Sequence, residues 1–169
     1  MLEADVSGAE EASDEMIASF NLNSWLAVLD STISRIVAAM RPSLGAAIAN
    51  TTTLPRVDII YAHANMSPDM ITAAATNGAK GIVIAGVGDG NTTAPAIEAV
   101  KRAVAKGVAV VRASRVGAGI VRRNVEVSDD QLGTIASMEL NPSKARVLLK
   151  LALMKTSDTK KIQAYFDKY

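Results

Sequence analysis

Asn91 and Glu126 are the two side chains whose type and setting suggest chemistry in this sequence. Asn91 closes the stretch AGVGDGN, in which Gly86, Gly88 and Gly90 alternate directly after an apolar run. Glycines spaced in this way lack Cβ atoms, accept positive φ and let a small ligand approach the main chain. An amide at the mouth of such a loop both donates and accepts, which suits a polar ligand. Glu126 lies in a second stretch, RASRVGAGIVRRNVEVSDD, which also follows an apolar run. A carboxylate at that position can bind an ammonium group. At this level a purely structural tight turn stays open for the glycine loop, and a solvated loop acid is the favoured reading of Glu126.

Other chemistries are disfavoured by what surrounds these residues. The spacing is G-x-G-x-G rather than the dinucleotide G-x-G-x-x-G, Asp89 repels a pyrophosphate, and no Walker lysine follows. A nucleotide-binding Rossmann-like domain therefore stands only as an alternative. With no cysteine, the chain has no disulfide, thiolate zinc site or cysteine nucleophile. Its one histidine, His63, reads as structural, and neither metal nor cofactor is expected.

Charge points the same way. The first 20 residues carry six acids and no base, whereas all 18 basic side chains and the other 11 acids lie beyond them. That basic excess is scattered and has few aromatics among it, so nucleic-acid binding is not expected. No apolar run approaches the ~20 residues of a membrane span. The acidic start lacks the basic n-region of a secretory signal, so the chain as written reads as cytoplasmic.

The elements that must position Asn91 and Glu126 emerge from periodicity. Residues 1–22 read as an acidic flexible tail, and 23–53 as an amphipathic helix with a connector. From residue 54 onward strands and helices alternate. VDIIYAH, GIVIAGV and VAVVRAS read as buried strands, and TIASM as a fourth short one. Between them lie SPDMITAAATNG, with Ser67 as cap and Pro68 in the first turn, and TTAPAIEAVKRAVAKG. LNPSKARVLLKLALMKT, capped by Asn141, and the closing KKIQAYFDKY read as further helices. The pattern implies an α/β fold, a Rossmann-like three-layer domain with a small parallel sheet. Both glycine-bearing stretches then leave the carboxyl ends of strands, where open α/β sheets bind ligands.

In order, the motifs LPRVDIIY, GAKGIVIAGVGDGN, GVAVVRASRVGAG with NVEV, LNPSKARVLLKLALMKTSD and IQAYFDKY resemble the C-terminal domain of bacterial type II L-asparaginases. The likeness covers residues 54–169 and runs to the last residue, so a natural C-terminus is expected. By this resemblance, Asn91 and Glu126 are substrate-binding residues for L-asparagine or L-glutamine. Glu126 would hold the α-ammonium group and Asn91 would orient that end of the molecule. Gly86, Gly88, Asp89 and Gly90 form the supporting loop. The resemblance also implies a homo-oligomer, in which this domain serves the active site of a neighbouring subunit, and relatives that are periplasmic or secreted.

The family's reacting groups have no counterpart in this sequence. The resemblance calls for a threonine nucleophile in a T-G-G-T-I stretch and a second threonine in H-G-T-D-T, and neither motif occurs. Thr51, Thr52 and Thr53 sit in a connector without an adjacent lysine–aspartate pair and are not expected to react. No residue of this chain is therefore assigned as catalytic. The expected function is that of an asparaginase C-terminal module, inactive alone. The alternative is a non-catalytic module that associates with intact asparaginase subunits.

Overall fold

The computed structural model describes residues 53–168. The acidic tail, Thr51, Thr52 and all but the last residue of the 23–53 segment lie outside them. Four strands, β1 (Val57–Tyr61), β2 (Gly81–Gly86), β3 (Ala109–Ser114) and β4 (Ile135–Ala136), form one sheet in the order β1-β2-β3-β4. Every pairing is parallel, with Ile60 beside Ile84, Ile84 beside Arg112, and Arg112 beside Ala136. The helices are α1 (Asp69–Thr76), α2 (Ala94–Ala105), the short α3 (Asp129–Leu132), α4 (Pro142–Leu153) and α5 (Thr159–Phe166).

All residues of β2 and β3 are buried, as a central parallel strand covered on both faces requires. One face packs Ile60, Ile82, Ile84, Val108 and Val110 against Ile71 of α1 and Ala96, Ala99, Val100 and Ala103 of α2. Strand alternation sends Gly81 the other way, where a Cβ would lie 2.7 Å from Leu149 Cδ2 of α4. That face is completed by α4 and α5, whose Leu148, Leu149, Ile162 and Phe166 are fully buried. Each such apolar side chain contributes about 1.5–3 kcal/mol relative to exposure. The three layers are those expected.

Local sequence sets most helix boundaries. Asn141 Oδ1 accepts from Lys144 N at 2.9 Å and Pro142 occupies the first turn of α4. Thr93 caps α2, and Asp158 accepts from Lys160 N to start α5. At α1 the boundary differs slightly from expectation. Pro68 stands at the cap, and the Ser67 hydroxyl accepts instead from Asp69 N at 3.2 Å, a local turn just ahead of the helix.

Side chains blunt both edge strands. Gln163 is 2% exposed; its Oε1 accepts from Ala136 N at 2.8 Å and its Nε2 donates to Ala136 O at 3.2 Å. It thus supplies β4 with the hydrogen bonds of a missing neighbour, which lets β4 end after two residues. On the opposite edge, Arg146 Nε donates to Val57 O at 2.7 Å.

Beside β4, the Ser137 amide donates to Arg112 O at 2.9 Å, while its fully buried hydroxyl has no partner. A desolvated, unpaired hydroxyl costs about 1–3 kcal/mol. Ser137→Ala is therefore expected to leave stability unchanged or raise it by up to ~1 kcal/mol. Urea unfolding would show this as an equal or higher midpoint at constant m-value. A loss above ~1 kcal/mol would contradict it.

Candidate functional site at the carboxyl edge

The glycine loop is a tight turn that presents Asn91. Val87 and Asn91 form an antiparallel bridge, with Val87 N donating to Asn91 O at 2.9 Å and Asn91 N to Val87 O at 2.8 Å. The chain reverses within it through Gly88 at φ +55° and Gly90 at φ +81°, the left-handed region that glycine tolerates. Gly90 is also closely packed, since a Cβ there would lie 3.0 Å from Val121 and 3.1 Å from the Arg112 guanidinium and would push on both side chains. Turn and ligand shelf are thus not exclusive: backbone closure leaves the Asn91 side chain exposed, with no partner among the described residues.

A second turn presents Glu126. Asn124 takes φ +57°, which asparagine tolerates better than most residues. Its amide N donates to Asp129 Oδ2 at 2.9 Å, its Nδ2 donates to Asp130 Oδ2 at 2.8 Å, and Asp130 N donates back to Asn124 Oδ1 at 3.1 Å. The Asn124 amide and then the Arg123 guanidinium hold the Asp130 carboxyl below its ordinary range. Between these anchors Val125 and Glu126 project outward. Glu126 is exposed and unpaired among the described residues.

A buried charged hub lies beneath both turns. The side chains of Arg112 and Asp129 are 7% and 0% exposed. They form a bidentate pair, Nε and Nη2 each 2.7 Å from a carboxylate oxygen. The guanidinium also donates to Asp89 O at 2.8 Å in the glycine loop and to Arg122 O at 3.1 Å in the Glu126 loop. Thr134 Oγ1 donates to Asp129 Oδ1 at 2.6 Å. Burial pushes the Asp129 carboxyl up, but the hydrogen bonds from Arg112, Thr134 and Asn124 outweigh it, leaving it below its ordinary range. Neither Arg112 nor Asp129 was expected from sequence; the available signal was one arginine inside the apolar strand VAVVRAS.

The two loops meet at one end of the sheet. Asn91, Gly90, Arg112 and Val127, the neighbour of Glu126, line a common cavity of about 20 Å³, room for about one water. An amino acid therefore does not fit inside this space. The strand order contains no reversal, so among the described residues there is no switch-point crevice to enclose a ligand. Around this face Tyr61, Val87, Val116, Ile120 and Val125 are 40–59% exposed.

The remaining residues considered from sequence fall elsewhere or take structural parts. Asp89 is not merely a flank of the loop: its carboxylate accepts from Arg122 N at 2.6 Å and pairs with the Arg122 guanidinium at 2.9 Å. His63, exposed after β1, donates from Nδ1 to Ala64 O at 2.9 Å. Thr53 lines an open groove with Lys80 and Gly107, which precede β2 and β3, so it stands at the sheet end opposite Asn91. Among the described residues no group of His, Cys, Asp or Glu is arranged to hold a metal, and no helix is long and apolar enough to cross a membrane.

Comparison with known proteins bears on this arrangement. Residues 56–166 match the Glutaminase/Asparaginase C-terminal domain. The chain is 48% identical over 122 residues to L-asparaginase 2 of Bacillus subtilis, covering 72% of this chain and 32% of that protein. It is 47% identical over 117 residues to a protein of Haemophilus influenzae named probable L-asparaginase periplasmic, covering 69% of this chain and 34% of that one. Against a glutaminase-asparaginase of Acinetobacter glutaminasificans the identity is 45% over 117 residues, or 69% of this chain and 35% of the relative. The chain thus spans about a third of the length of these relatives.

Proposed function

The chain belongs to the glutaminase/asparaginase C-terminal domain family, and from that premise we propose that it supplies the substrate-positioning wall of an amidohydrolase site. The reaction is hydrolysis of the side-chain amide of L-asparagine or L-glutamine, in which water and the amide yield the acid and ammonia. Glu126 pairs with the substrate α-ammonium, and Asn91 fixes its orientation through an amide that donates and accepts. The nucleophilic threonine and its activating groups come from an asparaginase-type domain of a neighbouring subunit. The chain alone therefore binds substrate weakly and does not turn it over.

The observation that carries this reading is the open shelf. Asn91 and Glu126 are exposed and unpaired among the described residues, in loops that meet beside a space too small for an amino acid. Such a shelf needs a second wall. The exposed apolar side chains around it suit burial against another protein surface.

The test is to co-express the full 169-residue chain with a threonine-bearing N-terminal asparaginase domain and measure ammonia release from asparagine and glutamine. Activity is expected from the assembly and not from the chain alone. Within the assembly, Glu126→Gln is expected to lower kcat/KM about 10- to 100-fold, the scale of one charge-assisted hydrogen bond. Turnover by the chain alone near the ~10 s⁻¹ typical of enzymes would refute the need for a partner. Unchanged kcat/KM in Glu126→Gln would refute the assigned role. An assembly that forms but stays inactive would leave association without catalysis as the function.

A further inference from the structure

Hydrogen bonds join the two substrate loops above the buried hub as well as through it. Asp89 stands two residues before Asn91, and Arg122 stands four residues before Glu126. The Asp89 carboxylate accepts from the Arg122 backbone N at 2.6 Å and from its guanidinium Nε at 3.2 Å and Nη2 at 2.9 Å. Its side chain is 13% exposed, whereas that of Arg122 is 59% exposed. The Arg122 carbonyl is in turn held from below by Arg112, and the next residue back, Val121, donates from N to Met138 O at 3.0 Å.

Stability alone does not account for this placement. The hub already fixes the base of both loops through buried, bidentate geometry, and an exposed ion pair adds little to folding. What the outer contact joins directly, side chain to loop, is the segment carrying Asn91 to the segment carrying Glu126. Slackening it lets the amide and the carboxylate move relative to one another while the sheet stays intact.

We propose that Asp89 and Arg122 form a positioning pair that fixes the spacing between Asn91 and Glu126, and through it the affinity for the amino-acid end of the substrate. This rests on the reading of Asn91 and Glu126 given above. Neither Asp89 nor Arg122 is catalytic, since each acts through the loop it holds. Because the arginine side of the pair is exposed, its effect weakens as salt rises.

Two measurements test the pair. In the full 169-residue chain, Asp89→Ala removes both the ion pair and the acceptor for Arg122 N, whereas Asp89→Asn keeps an acceptor oxygen. Amide hydrogen exchange at Asn91 and Arg122 is expected to quicken about tenfold in Asp89→Ala and less in Asp89→Asn, with β2 and β3 unchanged. In the co-expressed assembly, Asp89→Ala and Arg122→Gln are expected to raise KM for asparagine about fivefold with kcat within about twofold, and Arg122→Lys to restore most of the loss. A purely structural pair would lower the melting temperature without this split between KM and kcat. Unchanged exchange in Asp89→Ala overturns the pair, and so does altered exchange with unchanged KM. Failure of the parent reading shows itself differently, as no ammonia release from the unsubstituted assembly, and the exchange data then still accept or reject the tie.

Discussion

Arg112→Met is expected to lower the unfolding free energy of the chain by about 3–5 kcal/mol at pH 7, the usual cost of leaving a buried charge without its partner. The substitution keeps much of the side-chain volume but removes both bonds to Asp129. It also removes the donors to Asp89 O and Arg122 O, two carbonyls that anchor different loops. Asp129 is left fully buried with only Thr134 Oγ1 and Asn124 N as donors. The loss is thus one of an uncompensated charge, and its size depends on pH.

The direction of that dependence follows from the Asp129 carboxyl. In the native chain it lies below its ordinary range, so it contributes stability above the unfolded value of about 3.9 and loses it as pH falls through the folded value. Without Arg112 burial dominates and the folded value rises, so the variant loses stability as pH climbs above about 3.9. Urea unfolding at pH 7 and near pH 4 should therefore show the gap between the two proteins narrowing on acidification. Adding Asp129→Asn to Arg112→Met should recover about 2 kcal/mol at pH 7, because the neutral amide keeps one acceptor oxygen and removes the buried charge. A gap independent of pH would mean that lost packing, not lost pairing, is responsible.

These residues also mark where local sequence signals end. Strands, helices and caps were legible because their signals are local: Asn141 caps the very helix that Pro142 begins, and Gly86, Gly88 and Gly90 announce a turn in the segment that makes it. The short α3 carries no such signal, since four residues give no periodicity. Arg112 reads from sequence as no more than part of a strand, because its partners lie 10, 17 and 23 residues away. From sequence Asp89 shows only its charge to a ligand, whereas its carboxylate is engaged by Arg122, 33 residues on. Local spacing predicts which residues a loop offers; only the fold shows what holds the loop still.

Gly86→Ala carries the second large expected effect, a loss of ~3 kcal/mol or more. Gly86 ends β2 and is buried, and a Cβ there would lie 2.5 Å from Asn91 O and 2.5 Å from the Gly90 carbonyl carbon. Both opposing atoms are backbone, so no side-chain rotation relieves the overlap. The turn must open, which breaks the reciprocal bonds between Val87 and Asn91 and the bond from Arg115 N to Gly86 O at 2.8 Å. Gly88 offers the contrast: nothing lies within 4 Å of its added Cβ, and only its φ of +55° is strained. Gly88→Ala should therefore cost about 1 kcal/mol, the penalty of left-handed backbone for a residue with Cβ. Thermal melts of the two variants separate the causes, for steric closure predicts a much larger drop for Gly86→Ala, and comparable drops would reduce both glycines to their conformational freedom. The ordering also bears on the site, because an opened turn displaces Asn91 from the shelf it shares with the Glu126 loop.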